Sequence, residues 1–172
     1  MTNNQHSIID NAKRVLKIEA DEIYNTLNSI NNNFVLAVNA VIGCKGRIVL
    51  SGMGKSGHIA RKIASTLSST GTPAFFMHPG EASHGDLGMI TKEDVVIFFS
   101  NSGKSEELIS ILPSIKRIGA SIISVTNAEN SDLALQSDIN LNIIVSKEAC
   151  PLGLAPTASS TVALALGDAL AV

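Results

Sequence analysis

The sequence predicts an α/β protein: a three-layer α-β-α sandwich built on a five-stranded parallel sheet. Three observations carry this. Five short apolar runs, Arg47–Ser51, Ala74–Met77, Asp94–Ser100, Ser121–Thr126 and Ile139–Val145, alternate with stretches of helical periodicity. Strand–helix–strand alternation implies right-handed crossovers and a mostly parallel sheet buried on both faces. The chain has 172 residues, 45% hydrophobic and 16% charged, which suits a folded domain with a sizeable core.

The elements follow in order. Ile9, Ala12, Leu16, Ile23, Leu27 and Ile30 recur at helical spacing, with Ser7 placed to cap the run and Asp10 three residues later. Asn31, Asn32 and Asn33 interrupt it; Phe34, Val38, Val41 and Ile42 resume it, and Gly43 stands where a helix stop belongs. Leading helices are therefore expected over 7–43 and an α/β core over 44–172. In the core, helices are expected at Ser56–Thr70, Ser105–Ile118, Ser131–Ser137 and from about Thr157 to the end. Ligands of such sheets bind beyond the carboxyl ends of the strands. The loops after Ser51, Met77, Ser100, Thr126 and Val145 are where function should lie.

Composition narrows the function. The net charge is −2, Lys and Arg are scattered, Trp is absent and Tyr occurs once, so neither a basic stripe nor a base-stacking platform points to nucleic acid. No apolar run approaches the ~20 residues of a membrane span, and the start MTNNQHSIID lacks the pattern of a secretory signal. Cys44 and Cys150 suit a reducing cytoplasm and read as packing residues.

Two loops suggest an anion. Gly52-Met53-Gly54-Lys55-Ser56-Gly57 has the spacing of a dinucleotide fingerprint after a strand and before a helix. The acid that should end the second strand is missing: Met77 is followed by His78, and the first acid is Glu81. A nucleotide phosphate loop fails too, because its first glycine would fall on Val49. What remains is a glycine-rich turn aiming backbone N–H groups and a helix N-terminus at an anion, with Lys55 as a nearby cation. Ser100-Asn101-Ser102-Gly103-Lys104-Ser105 forms a second such cradle after the central strand. Taken singly, Lys55 is a solvated loop lysine and Ser105 an N-cap. Two cradles on neighbouring strand ends favour a phosphosugar, with Gly54, Ser56, Ser100, Asn101, Ser102 and Ser105 as its binding residues.

The Ser-x-Ser-Gly-x-Ser loop resembles the phosphosugar loop of sugar-isomerase (SIS) domains. GMGKSGHIARKIASTLSSTGTPAFFMHPGEASHGDLGMI, SNSGKSEE and KEACPLGLAPTASSTVALALGDAL are similar to the arabinose-5-phosphate isomerases of that class, over nearly the whole chain. The resemblance implies a flavodoxin-like SIS fold and interconversion of D-arabinose 5-phosphate and D-ribulose 5-phosphate through an enediol, feeding synthesis of Kdo for lipopolysaccharide or capsule. Its functional residues carry over to Lys55, His84, Glu107 and Glu148. It implies no cofactor, no catalytic metal, a cytoplasmic homotetramer or homodimer with sites built between subunits, and CMP-Kdo as a feedback ligand.

Each residue also has an ordinary reading. Glu106 and Glu107 complement a helix dipole in the first turn; Glu107 lies on the flank of the buried face and is better placed to turn toward a site. Glu148 beside Lys147 reads equally as a surface pair. His84, with Asp86 nearby, is preferred over His78 because it matches the family position; His58 reads as packing and His6 as solvated. Thr157 to Thr161 divide evenly between capping and sugar contact. A zinc site from His78, His84 and Asp86 lacks metalloenzyme spacing.

Relatives of this kind continue into a second HPGG-type segment with another active-site histidine, then paired CBS modules. Val172 falls inside an apolar helix, so 1–172 is expected to be a single SIS domain from a truncated chain, without CBS modules, that binds sugar phosphate but turns it over weakly. The competing functions are an isomerase of another sugar phosphate, a non-catalytic phosphosugar sensor and a nicotinamide-dependent oxidoreductase.

Overall fold

The computed structural model describes residues 3–172. Two helices lead, α1 (Asn3–Leu27) and α2 (Asn32–Gly43). The α/β core follows: β1 (Ile48–Gly52), α3 (Gly54–Ser69), β2 (Ala74–Phe76), α4 (Pro79–Ser83), a 3-10 turn (Asp86–Met89), β3 (Val95–Phe99), α5 (Glu106–Ile118), β4 (Ser121–Thr126), α6 (Asp132–Gln136), β5 (Ile139–Asn142) and α7 (Ala158–Ala171). Among the described residues, no helix is long and apolar enough to cross a membrane.

The five strands form one parallel sheet in the order β2-β1-β3-β4-β5. This is the flavodoxin-like order, with its switch point between β1 and β3. Alternate side chains on each strand serve different layers. Ile48, Leu50, Ile97, Phe99, Ile123 and Val125 pack with α2, α3 and α7. Val49, Val96, Phe98 and Ile122 pack with Leu108, Ile111, Leu112 and Ile115 of α5. The second set recurs at helical spacing, which is why one face of α5 is buried while Glu106 and Glu107 stay exposed. α3 and α7 touch closely at Gly167, where a Cβ would meet Cγ1 of Ile63 at 2.6 Å.

The expected elements are present, with shifted ends. The strand expected at Ile139–Val145 stops at Asn142, since β5 is an edge strand and, after Ile143, residues 144–146 find side-chain partners instead. Ser7 does not cap α1: the helix begins upstream of it, no Gly or Pro intervening to stop it. α2 does end at Gly43, but extended Cys44 terminates it, not a left-handed glycine. Asn31 caps α2, accepting from the Asn33 N–H at 2.8 Å. The apolar stripe of α1 is largely exposed, Leu16 by 69% and Leu27 by 61%, whereas Glu22 and Thr26 are buried.

Candidate active site

Strand register brings the carboxyl ends of β1, β3 and β4 level, and the loops that leave them surround a cleft of about 280 Å³. Ser56 and Ile59 of α3, Phe99, Ser100 and Asn101 after β3, Val125 of β4, Ile143 and Glu148 after β5, and Ser159 and Ser160 of α7 line it. Gly153, Leu154 and Pro156 form its outer rim. The cleft thus sits over the switch point, where this topology binds ligands. Its volume is at the small end for ligand pockets, matched to a small polar metabolite and far short of a dinucleotide.

The serine loop is shaped by its own hydrogen bonds. Ser100 Oγ lies 3.0 Å from Ser105 Oγ and accepts from the Gly103 N–H at 3.2 Å. Ser105 occupies the N-cap position of α5, yet its side chain makes no capping bond, because Ser100 holds it. Ser102 Oγ accepts from the Lys104 N–H at 3.3 Å. Gly103 has φ 62° and is buried against Ser131, so any Cβ would collide with the Ser131 side chain. The cap N–H groups of α5 are left without a side-chain acceptor, which suits an incoming anion.

Glu148 enters from the segment after β5. Its Oε2 accepts from the Thr157 N–H at 2.8 Å, the Thr157 hydroxyl at 2.9 Å and the Ser159 N–H at 3.3 Å. Thr157 Oγ1 in turn accepts from the Ala149 N–H at 2.8 Å. The carboxylate therefore caps α7. Burial pushes its pKa up, but the bonds from Ser159 and Thr157 outweigh this and hold it below the ordinary carboxylate range. At neutral pH it is an anion in a half-buried cleft, the state a proton acceptor requires.

Of the residues singled out in the sequence, Ser56, Ser100, Asn101 and Glu148 line the cleft, and Thr157 adjoins it through Glu148. Gly54 (φ 53°) and Lys55 open α3 and are exposed, as are Ser102, Glu107 and His84. His84 ends α4, and His78 begins it, its Nδ1 accepting from the Gly80 N–H at 3.2 Å. Among the described residues, no three His, Cys, Asp or Glu gather as metal ligands would. His58 is exposed, not packed; it lies with Gly54, Arg61, Phe76 and His78 in a smaller cleft of about 140 Å³. Cys44 packs at the edge of the core, while the backbone amide of Ala155 and its loop neighbours draw the Cys150 thiol below its ordinary pKa. Sequence reasoning missed Glu22; Ser159 and Ser160 line the cleft and belong to the Thr157–Thr161 run it left divided between capping and sugar contact. Glu22 and Thr26 do share one face of α1, with Ser29 in the turn after it, a signal masked by the apolar stripe beside them.

The SIS domain model matches residues 41–172. The chain belongs to the SIS-domain family. The SIS chain is 54% identical to the arabinose 5-phosphate isomerase KdsD of Pseudomonas aeruginosa over 164 residues, which is 95% of this chain and 50% of that protein. Against KdsD of Escherichia coli K12 it is 54% identical over 160 residues, 93% of this chain and 49% of that one. The SIS chain thus spans about half the length of the curated relatives it matches. Among solved structures, that of E. coli CFT073 c3406 in complex with arabinose 5-phosphate superposes with a TM-score of 0.94 at 45% identity, covering 99% of this chain and 90% of that one.

Proposed function

We propose that the protein is an arabinose-5-phosphate isomerase, interconverting D-arabinose 5-phosphate and D-ribulose 5-phosphate. The observation that carries the reading is the cleft over the switch point, with a serine-rich helix N-terminus on one side and an ionised, hydrogen-bonded carboxylate on the other. The high identity to isomerases of that name supports the same substrate. In this reading Ser100, Asn101, Ser102, Ser105 and Ser56 hold the phosphate, assisted by the N-terminus of α5.

Glu148 takes the proton from C2 of the open-chain aldose, giving an enediolate. The same proton, or one from solvent, returns to C1, while the hydroxyl proton on O2 passes to O1, which becomes the C1 hydroxyl, and the ketone forms at C2. No electron leaves the substrate, so the conversion needs no net oxidant. Lys55 offsets the charge that develops on the oxygens. His84 and Glu107 serve ring opening and proton exchange at the oxygens. Lys55, His84 and Glu107 lie outside the cleft of one chain, which supports a site completed in an assembly of copies, as a homotetramer or homodimer. Lys55 and His84 reach the reaction there. A cytoplasmic setting, a place in Kdo supply and CMP-Kdo as a feedback ligand belong to the same proposal.

A proton NMR time course of D-arabinose 5-phosphate in deuterated water tests it. Ketose signals with deuterium entering at C2 of the recovered aldose are expected. Line broadening of the sugar phosphate without turnover would favour a phosphosugar sensor, and neither effect would reject both.

A further inference from the structure

Glu22 of α1 is 1% exposed, and it lies outside the candidate site. A buried carboxylate is costly unless its oxygens are hydrogen-bonded. Here they accept from the Ser146 N–H at 2.9 Å, the Ser146 hydroxyl at 2.5 Å and the Asn25 amide at 3.2 Å. Two of these donors belong to the segment that carries Glu148.

The whole segment is held in this way. Ser29 Oγ donates to the Asn142 carbonyl at 2.6 Å. Thr26 Oγ1 donates to the Ile144 carbonyl at 3.0 Å and accepts from the Ile144 N–H at 3.1 Å. Glu22 takes Ser146, and the Arg14 guanidinium donates to the Ala149 carbonyl at 3.2 Å. The order runs antiparallel, at every second residue from Asn142 to Ser146, with Arg14 reaching Ala149 further along. At a helical rise of 1.5 Å, Glu22 to Thr26 spans about 6 Å, and an extended chain from Ile144 to Ser146 spans about 7 Å. The lengths agree, so Thr26 and Glu22, one helical turn apart, meet alternate residues of the segment. Residues on the other parity face the sheet: the Ile143 N–H donates to the Thr126 carbonyl at 2.8 Å, and the Asn127 side chain bonds both polar groups of Val145, at 2.9 and 3.1 Å. Beyond β5 the segment is thus held between the sheet on one side and side chains of α1 and the turn after it on the other.

We propose that Glu22 is a positioning residue for Glu148: by clamping Ser146 two residues upstream, it fixes how far the segment carries the Glu148 carboxylate toward the cleft and Thr157. The catalytic consequence rests on the function proposed above. A carboxylate suits the task because Ser146 and Asn25 present three donors, and glutamine has only one accepting oxygen.

Glu22→Ala, Glu22→Gln and Ser146→Ala, made in the full chain, test this with two readouts. In the isomerase assay Glu22→Ala should lower kcat about 10- to 100-fold with KM within about threefold, because the phosphate loop is untouched. Glu22→Gln should recover kcat to within about fivefold of the wild type, since its oxygen still accepts from the Ser146 N–H. In nitrogen–proton correlation spectra, the Thr157 and Ser159 amide resonances should shift in Glu22→Ala and stay in Glu22→Gln. If Glu22→Ala does not fold, Ser146→Ala, which removes one donor only, must give the fall in kcat, about three- to tenfold. Unchanged kcat per folded molecule, with only the melting temperature lowered, would overturn the proposal. If the wild type isomerises no pentose phosphate, the functional reading fails, and the amide resonances alone then decide the positioning: unmoved signals in Glu22→Ala reject it.

Discussion

Glu148 accepts hydrogen bonds from both the backbone N–H and the hydroxyl of Thr157, at 2.8 and 2.9 Å. Thr157 stands at the N-cap of α7 but makes no capping bond with its own side chain. An acid from another segment does that work, and all its bonds fall on Oε2. Among the described residues no hydrogen bond reaches Oε1, so one oxygen fixes the group and the other has the freedom that the proposed proton transfer requires.

This arrangement separates two effects of mutation. Glu148→Gln keeps an oxygen for the cap but cannot take a proton, so kcat should fall about 10²- to 10⁴-fold with little change in melting temperature. Glu148→Ala should lose the cap as well, at about 1 kcal/mol of stability. Steady-state kinetics beside thermal melts checks both, and a Gln variant with more than about a tenth of wild-type kcat removes Glu148 as the base.

Glu22 and Glu148 also make stability depend on pH. In each, burial raises the pKa and hydrogen bonds, from Ser146 in one and from Ser159 and Thr157 in the other, more than reverse it, so both lie below the ordinary value of 4.5. A depressed folded-state pKa means the unfolded chain binds the proton more tightly. Their stabilisation is therefore complete above about pH 4.5 and is lost as pH falls through the folded-state values. Denaturant titrations between neutral pH and about pH 3 should show a steeper loss for the wild type than for Glu22→Gln with Glu148→Gln. Parallel curves would place the acid sensitivity elsewhere.

The sheet was legible because buried parallel strands are nearly all apolar, and the helices because α5 alternates so plainly between Leu108, Ile111, Leu112 and Ile115 and its charged face. The serine loop and Glu148 were legible as strand-end residues and through the family motifs. The ends of β5 and the start of α1 were not, since pairing on an edge strand is decided by what packs beside it. Glu22 was hidden for the same reason. Its burial depends on Ser146, far away in sequence, and no local pattern announces a helix face whose polar side chains hold a distant loop.

Gly103→Ala tests the phosphate loop. Its φ of 62° is strained for alanine, and the new Cβ would collide with Ser131, which caps α6 by accepting from the Ala134 N–H. A loss of about 1–3 kcal/mol is expected. The loop must move to relieve the clash, so KM for the sugar phosphate should rise more than kcat falls. An unchanged KM would mean that the phosphate sits elsewhere.

The leading helices supply the last test. Leu16 and Tyr24 of α1 are each 69% exposed and Ile42 of α2 is 78% exposed, and Ile8 and Leu27 of α1 are exposed as well. A second copy presenting the same helices would cover them. Leu16→Glu with Tyr24→Glu should then convert the assembly to smaller species in light scattering, while costing the isolated fold only about 0.5 kcal/mol, because neither side chain is buried in it. Lys55 and His84 lie outside the cleft of one chain, so dissociation should remove turnover while leaving phosphate binding at the serine loop. A wild-type chain that is monomeric and fully active would refute both the assembly and the shared site. Dissociated variants that still isomerise would keep the assembly but confine the chemistry to one chain, with Glu148 as its centre.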